Sequence, residues 1–191
     1  MRHAGADDAG WRRGVGLLRR RLRMNITAPP YHVLFLCTAN SARSIMAEAL
    51  LGVLGGGRFV AHSAGSHPRG RVQPLAAELA VAFGYPAERL RSKAWDEFAG
   101  ADAPAMDLII TVCDNAAGEV CPVWPGHPAV AHWGVPDPAA VEGDEARRRQ
   151  AFLEAWSRLR RRVELLVALP DDKLHGLAAS EALRRIAEAT A

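Results

Sequence analysis

The order of elements predicts an α/β fold, a single domain with a four-stranded parallel sheet flanked by helices. Three observations carry this expectation. Short apolar runs alternate with longer runs of helical periodicity, the pattern of strand–helix–strand units. The most apolar short run, residues 107–112, reads as a strand buried on both faces, as parallel strands are. Cys37, Cys113 and Asp137 fall at or just beyond the carboxyl ends of three of these runs, the edge where such sheets bind ligands.

Residues 32–36 form the first expected strand. A helix follows from near Ser44 to about Gly52, with Ile45, Met46, Ala49, Leu50 and Val53 at i, i+3, i+4 spacing. Residues 58–62 are the second strand, closed by Ser63-Ala64-Gly65. A second helix runs from Pro74 to Gly84, where Gly84 and Pro86 stop it. A short helix is expected from Ser92 to Phe98, the third strand at 107–112 and the fourth at 130–133. Residues 145–168 read as a long helix with Phe152, Trp156, Leu159, Val163 and Leu166 as its core stripe.

Three segments are expected: a basic, flexible N-terminal extension (1–30), the α/β domain (31–169), and a C-terminal helical appendage (170–191) with its helix at about 179–189. Arg12, Arg13, Arg19, Arg20, Arg21 and Arg23 crowd the opening, and Met24 reads as the natural start. Net charge is +3, and outside the opening and the late helix the charges nearly balance, which argues against a nucleic-acid-binding body. The 49% apolar content suffices for a core, and no stretch is long enough for a membrane span. Three cysteines, an odd number in a chain of this size, exclude a fully paired secreted framework and favour a cytoplasmic protein.

The chemistry is concentrated in Cys37-Thr38-Ala39-Asn40-Ser41-Ala42-Arg43-Ser44. A strand ending in a tight loop that enters a helix aims backbone N–H groups and the helix dipole at one point, which suits a tetrahedral oxyanion. Thr38, Ala39, Asn40, Ser41 and Ala42 would form that cradle. The same field stabilises a Cys37 thiolate as nucleophile, and Arg43 can clamp two oxyanion oxygens. A packing role for Cys37 leaves the arginine unexplained. Asp137, between Pro136 and Pro138, is either a turn-former or a general acid for the leaving oxygen.

Cys113 and Cys121 are separated by seven residues, which is not a CxxC motif. Structural thiols are one reading, and zinc binding with His127 and His132 is a weaker one. A relay is the third: one thiol attacks Cys37 after it has reacted, and the other takes over the disulfide.

These residues, with Met46-Ala47-Glu48-Ala49, Ser63-Ala64-Gly65, Ile110 to Asn115, Cys121-Pro122, His132-Trp133 and Asp137-Pro138, resemble the thiol-dependent arsenate reductases of the low-molecular-weight protein tyrosine phosphatase fold. The resemblance covers about 31–169. It implies that Cys37 attacks arsenic, that Ser44 keeps Cys37 deprotonated, and that Asp137 protonates the departing hydroxyl. It further implies a Cys37–Cys113 disulfide, then Cys113–Cys121, regenerated by thioredoxin or a low-molecular-weight thiol. It implies no tightly bound cofactor, with Asn40, Glu48 and Ser63 matching positions that in some relatives support the loop or a potassium ion. Arsenate or phosphate is the implied ligand, with no nucleic acid or membrane partner. The alternative is a phosphatase hydrolysing phosphotyrosine through a phosphocysteine, and residual phosphatase activity is expected either way. A non-catalytic oxyanion or redox sensor would not need Asp137.

Overall fold

A computed structural model describes residues 29–100, 102–113, 124 and 126–190. The first strand, β1 (Tyr31–Cys37), is buried on both faces from Val33 onward, so it can only sit inside a sheet. It pairs in parallel with β2 (Phe59–Gly65) on one side and β3 (Leu108–Thr111) on the other, and β4 (Ala129–His132) completes the order β2-β1-β3-β4. The sheet is therefore four-stranded and wholly parallel, as expected. Register places Cys37 beside Gly65, Leu36 beside Thr111, and Thr111 beside His132. All four carboxyl ends thus meet at one edge.

Four α-helices cover the sheet: α1 (Arg43–Leu54), α2 (Pro74–Ala82), α3 (Glu145–Val167) and α4 (Gly176–Ala189). Helices α3 and α1 begin in contrasting ways. Asp144 caps α3 by accepting from Arg147 N, and Glu145 lies in its first turn. Helix α1 has no side-chain cap and no acidic residue in its first turn, so its leading amides and positive dipole end are left for another anion. Helix α1 is buried along Ser44–Leu51 between β1, β2 and α3.

Three differences from expectation have local causes. Strand β2 runs on through Gly65 because that residue still pairs with Cys37. The segment Ser92–Phe98 yields only a 3-10 turn at Trp95–Phe98, because Ala94 bridges to Gly65 and Gly65 N donates to Lys93 O. The closing helix was expected as an appendage, but α4 packs on β4 and puts Ala179, Leu183 and Ile186 into the main core. Leu183 and Ile186 each contribute about 1.5–3 kcal/mol through this burial. Trp133 Nε1 donates to Leu183 O at 3.0 Å, and Arg162, which the sequence shows only as one of a run of arginines, is buried between Gly134 O (3.1 Å) and Thr190 Oγ1 (2.8 Å). Burial lowers the Arg162 pKa from its ordinary value. Helix α4 therefore braces the chain just ahead of Asp137. Among the described residues, no helix is long and apolar enough to cross a membrane.

Candidate active site

Cys37 ends β1, and its Sγ lies 2.9 Å from Ser44 Oγ and 3.2 Å from Asn40 N, which donates to it. The loop between β1 and α1 is turned inside out by its neighbours. The carbonyls of Thr38, Ala39 and Ser41 accept from the amides of His67 (2.9 Å), Arg69 (3.0 Å) and Gln73 (2.8 Å). Those carbonyls are engaged by other segments, while the Asn40 N–H is directed at Cys37 Sγ, as an anion cradle requires. Asn40 takes φ 40°, the left-handed region that costs a non-glycine residue roughly 1 kcal/mol or more. Its side chain, fully buried, holds it there: Nδ2 donates to Ser44 Oγ (2.8 Å) and Ser63 Oγ (3.0 Å), and Oδ1 accepts from Lys93 N (2.6 Å).

Gly65 makes this packing possible. A Cβ there would sit 2.5 Å from Thr38 O and 2.9 Å from Asn40 N. The glycine that ends β2 thus lets two backbones touch behind the cradle.

Burial pushes the Cys37 thiol above its ordinary pKa, and the hydrogen bonds from Ser44 and Asn40 pull it partly back. This runs against the simple expectation of a thiolate near neutral pH, because the strongest positive group in the motif points elsewhere. Arg43 directs Nη2 to Asp137 Oδ2 (3.2 Å) and Nη1 to Val135 O (2.9 Å). The arginine read as an oxyanion clamp is therefore paired, in this state, with the residue read as the acid. Asp137 is 41% exposed, and its Oδ1 accepts from Ala139 N at 3.1 Å.

Cys113 follows β3 and is 2% exposed, with its Sγ 3.8 Å from Thr38 Oγ1. A second thiol thus lies against the residue next to Cys37. Cys121 lies outside the described residues, and with it the zinc reading. His132 Nδ1 is engaged with Thr111 Oγ1 at 2.8 Å.

Asn40, Glu48 and Ser63 do come together, but not as an open cradle for potassium. Glu48 Oε1 accepts from Tyr85 OH (2.8 Å), and its Oε2 accepts from Ser63 Oγ and from Lys93 Nζ (2.8 Å). An ammonium is already placed against the carboxylate, so the donor set does not fit a free cation. The beginnings of this cluster were legible from the motif, whereas Lys93 and Tyr85 were not. Both lie in loops far along the chain, and nothing in their local sequence marks them.

The comparisons with known proteins agree with this geometry. The arsenate reductase of Halalkalibacterium halodurans is 33% identical over 132 residues, covering 69% of this chain and 91% of that protein. The structure of arsenate reductase from Archaeoglobus fulgidus aligns with a TM-score of 0.51 and 33% identity, over 69% of this chain and 98% of its own. A thioredoxin-dependent arsenate reductase from Corynebacterium glutamicum aligns with a TM-score of 0.50 over 80% of this chain and 73% of its own, at 24% identity, and so speaks to the fold alone. The low molecular weight phosphotyrosine protein phosphatase family profile matches residues 32–175, and the chain belongs to that family.

Proposed function

We propose that the protein is an arsenate reductase that works by a thiol relay. The observation that carries this reading is Cys113, a buried second thiol against the nucleophile loop. Phosphoester hydrolysis needs one cysteine, an arginine and an acid. It has no use for another thiol at that place.

Oxyanion binding draws Arg43 from Asp137 to the cradle, where its fork and the loop amides hold the oxygens and favour the Cys37 thiolate. The Cys37 proton is lost to solvent, and Asp137, released by Arg43 beside the bound anion, takes one up; the thiolate then attacks arsenic, and one oxygen leaves as water with that proton from Asp137. Cys113, as thiolate, then attacks Cys37 Sγ. The sulfur–arsenic electron pair passes to arsenic, As(V) becomes As(III), and arsenite departs after taking protons from water. The Cys37–Cys113 disulfide is attacked by Cys121, which frees Cys37 and leaves Cys113–Cys121. A dithiol of the thioredoxin class returns two electrons to that bond. Such a reductant fits a cytoplasmic protein.

Phosphatase activity of lower efficiency accompanies this, since phosphate has the same shape and charge. The acid loop offers a phenyl ring nothing to stack on: Trp133, its nearest aromatic in sequence, is fully buried. The test is arsenate-dependent NADPH oxidation with thioredoxin and thioredoxin reductase. Steady turnover is expected, with loss in Cys113→Ser and Cys121→Ser. Aryl phosphate hydrolysis without arsenate turnover under any thiol donor would leave the phosphatase reading alone.

A further inference from the structure

The cation beneath the nucleophile loop is the point at which this chain departs from the expectation of a bound potassium ion. Lys93 is 4% exposed and Glu48 7% exposed, so the pair is shielded from water, and a carboxylate there needs a counter-charge. Lys93 Nζ supplies it at 2.8 Å from Glu48 Oε2. From that contact a continuous line of hydrogen bonds reaches the sulfur. Glu48 accepts from Ser63 Oγ, and Ser63 accepts from Asn40 Nδ2 at 3.0 Å. Asn40 Nδ2 donates to Ser44 Oγ at 2.8 Å, and Ser44 Oγ lies 2.9 Å from Cys37 Sγ. The backbone of the same lysine grips the line in the middle, where Lys93 N donates to Asn40 Oδ1 at 2.6 Å.

We infer that Lys93 is a built-in monovalent cation: its ammonium occupies the place of a potassium ion and makes it the positioning residue for Asn40, Ser44 and Cys37. A small cation at this place does two things. It neutralises Glu48, and it fixes which way Ser63 and Asn40 present their donors. An ammonium has the charge and donors for both, and its tether removes any dependence on ion concentration. Tyr85 OH completes the carboxylate's shell from the other side, so Glu48 is held by three donors from three segments of the chain. The inference rests on the reading of Cys37 as a nucleophile facing an oxyanion, and not on which oxyanion is turned over.

The first arm of the test uses the wild-type protein. Its kcat/KM, its rate of Cys37 alkylation by iodoacetamide and its Tm are compared in potassium, sodium and choline chloride at matched ionic strength. Agreement within about twofold in rate, and no selective potassium shift in Tm, is expected. Activation of several-fold by potassium alone would overturn the inference. The second arm uses Lys93→Ala, which opens a hole the size of an ammonium beside Glu48. In sodium its alkylation rate should differ from wild type by about tenfold, with kcat reduced and KM little changed. Potassium or ammonium chloride, and neither sodium nor choline, should restore it toward wild type. Wild-type rates in sodium, or a loss that neither potassium nor ammonium reverses, would refute the assignment. If Lys93→Ala does not fold, the wild-type arm still decides. Alkylation and aryl phosphate hydrolysis report on the loop even if arsenate proves not to be the substrate, so the two readings fail separately.

Discussion

The loop after β1 and the loop after β4 each bring one reactive group to the carboxyl edge of the sheet, yet they are held in opposite ways. The first is locked from all sides: its carbonyls are engaged by residues 67, 69 and 73, and Asn40 is fixed by three hydrogen bonds of its side chain. The second presents Asp137 partly to solvent, held by Ala139 N and by Arg43. Its stiffness comes instead from behind, where Arg162 grips Gly134 O and Trp133 is tied to α4. A nucleophile must be aimed before the substrate arrives, and a proton donor must be able to yield its arginine when the anion enters. The contrast teaches that fixed geometry and exchangeable pairing are divided between the two loops.

The largest expected effect tests that division. Cys37→Ser should abolish arsenate reduction and aryl phosphate hydrolysis alike, by roughly 10⁴-fold or more, since the alkoxide is not available in its place. Cys113→Ser should remove steady arsenate reduction and leave aryl phosphate hydrolysis within about threefold. Equal loss of both would mean that the second thiol serves the loop and not a relay.

Asp137→Asn should lower kcat by about 10²-fold through loss of the acid. It should also tighten sulfate or phosphate binding several-fold, because the carboxylate that competes for Arg43 is gone. Titration calorimetry would show it, and weaker anion binding would end the exchange argument. Asn40→Ala should cost about 2–3 kcal/mol in urea denaturation, since it strips the buried contacts while keeping the left-handed backbone. The same measurement on Asp137→Asn should show under about 0.5 kcal/mol, as befits an exposed carboxylate.

A separate effect lies outside both loops. His62, half-buried with Nε2 3.0 Å from His32 Nδ1, has its pKa lowered to about 4, first by burial and then by the neighbouring His32. The folded state thus favours neutral His62, and this stabilisation is present above the unfolded value near 6.5 and lost as pH falls toward 4. Allowing for solvent screening it is worth about 1–2 kcal/mol, so His62→Phe should flatten the dependence of Tm on pH between those values.

Much of this architecture could be read before any coordinates. Strands β1 and β3 announce themselves because a chain buried on both faces must be apolar at every position. The alignment of Cys37, Cys113 and Asp137 on one edge follows from a parallel sheet. Pairings between distant segments could not be read. Lys93 meets Glu48 across 45 positions, and no local pattern marks a lysine that will turn inward. Arg162 looks like its neighbours Arg158, Arg160 and Arg161 until the fold buries it. A last helix at about 179–189 was visible, but not that Ala179, Leu183 and Ile186 would enter the core or that β4 would be the surface it covers. The resting pair of Arg43 with Asp137 was hidden for another reason: the sequence shows each residue's chemistry for the reaction and not what occupies it between turnovers.

Gly65 carries a consequence for how this protein can vary. A single methyl there would meet Thr38 O at 2.5 Å and Asn40 N at 2.9 Å, backbone atoms with no rotamer to change. Gly65→Ala alters neither charge nor hydropathy in any way a scan of the sequence would flag. It nonetheless forces the strand and the loop apart. For a catalytic apparatus built on aimed amides, the narrowest tolerance lies at a residue that has no side chain to contribute.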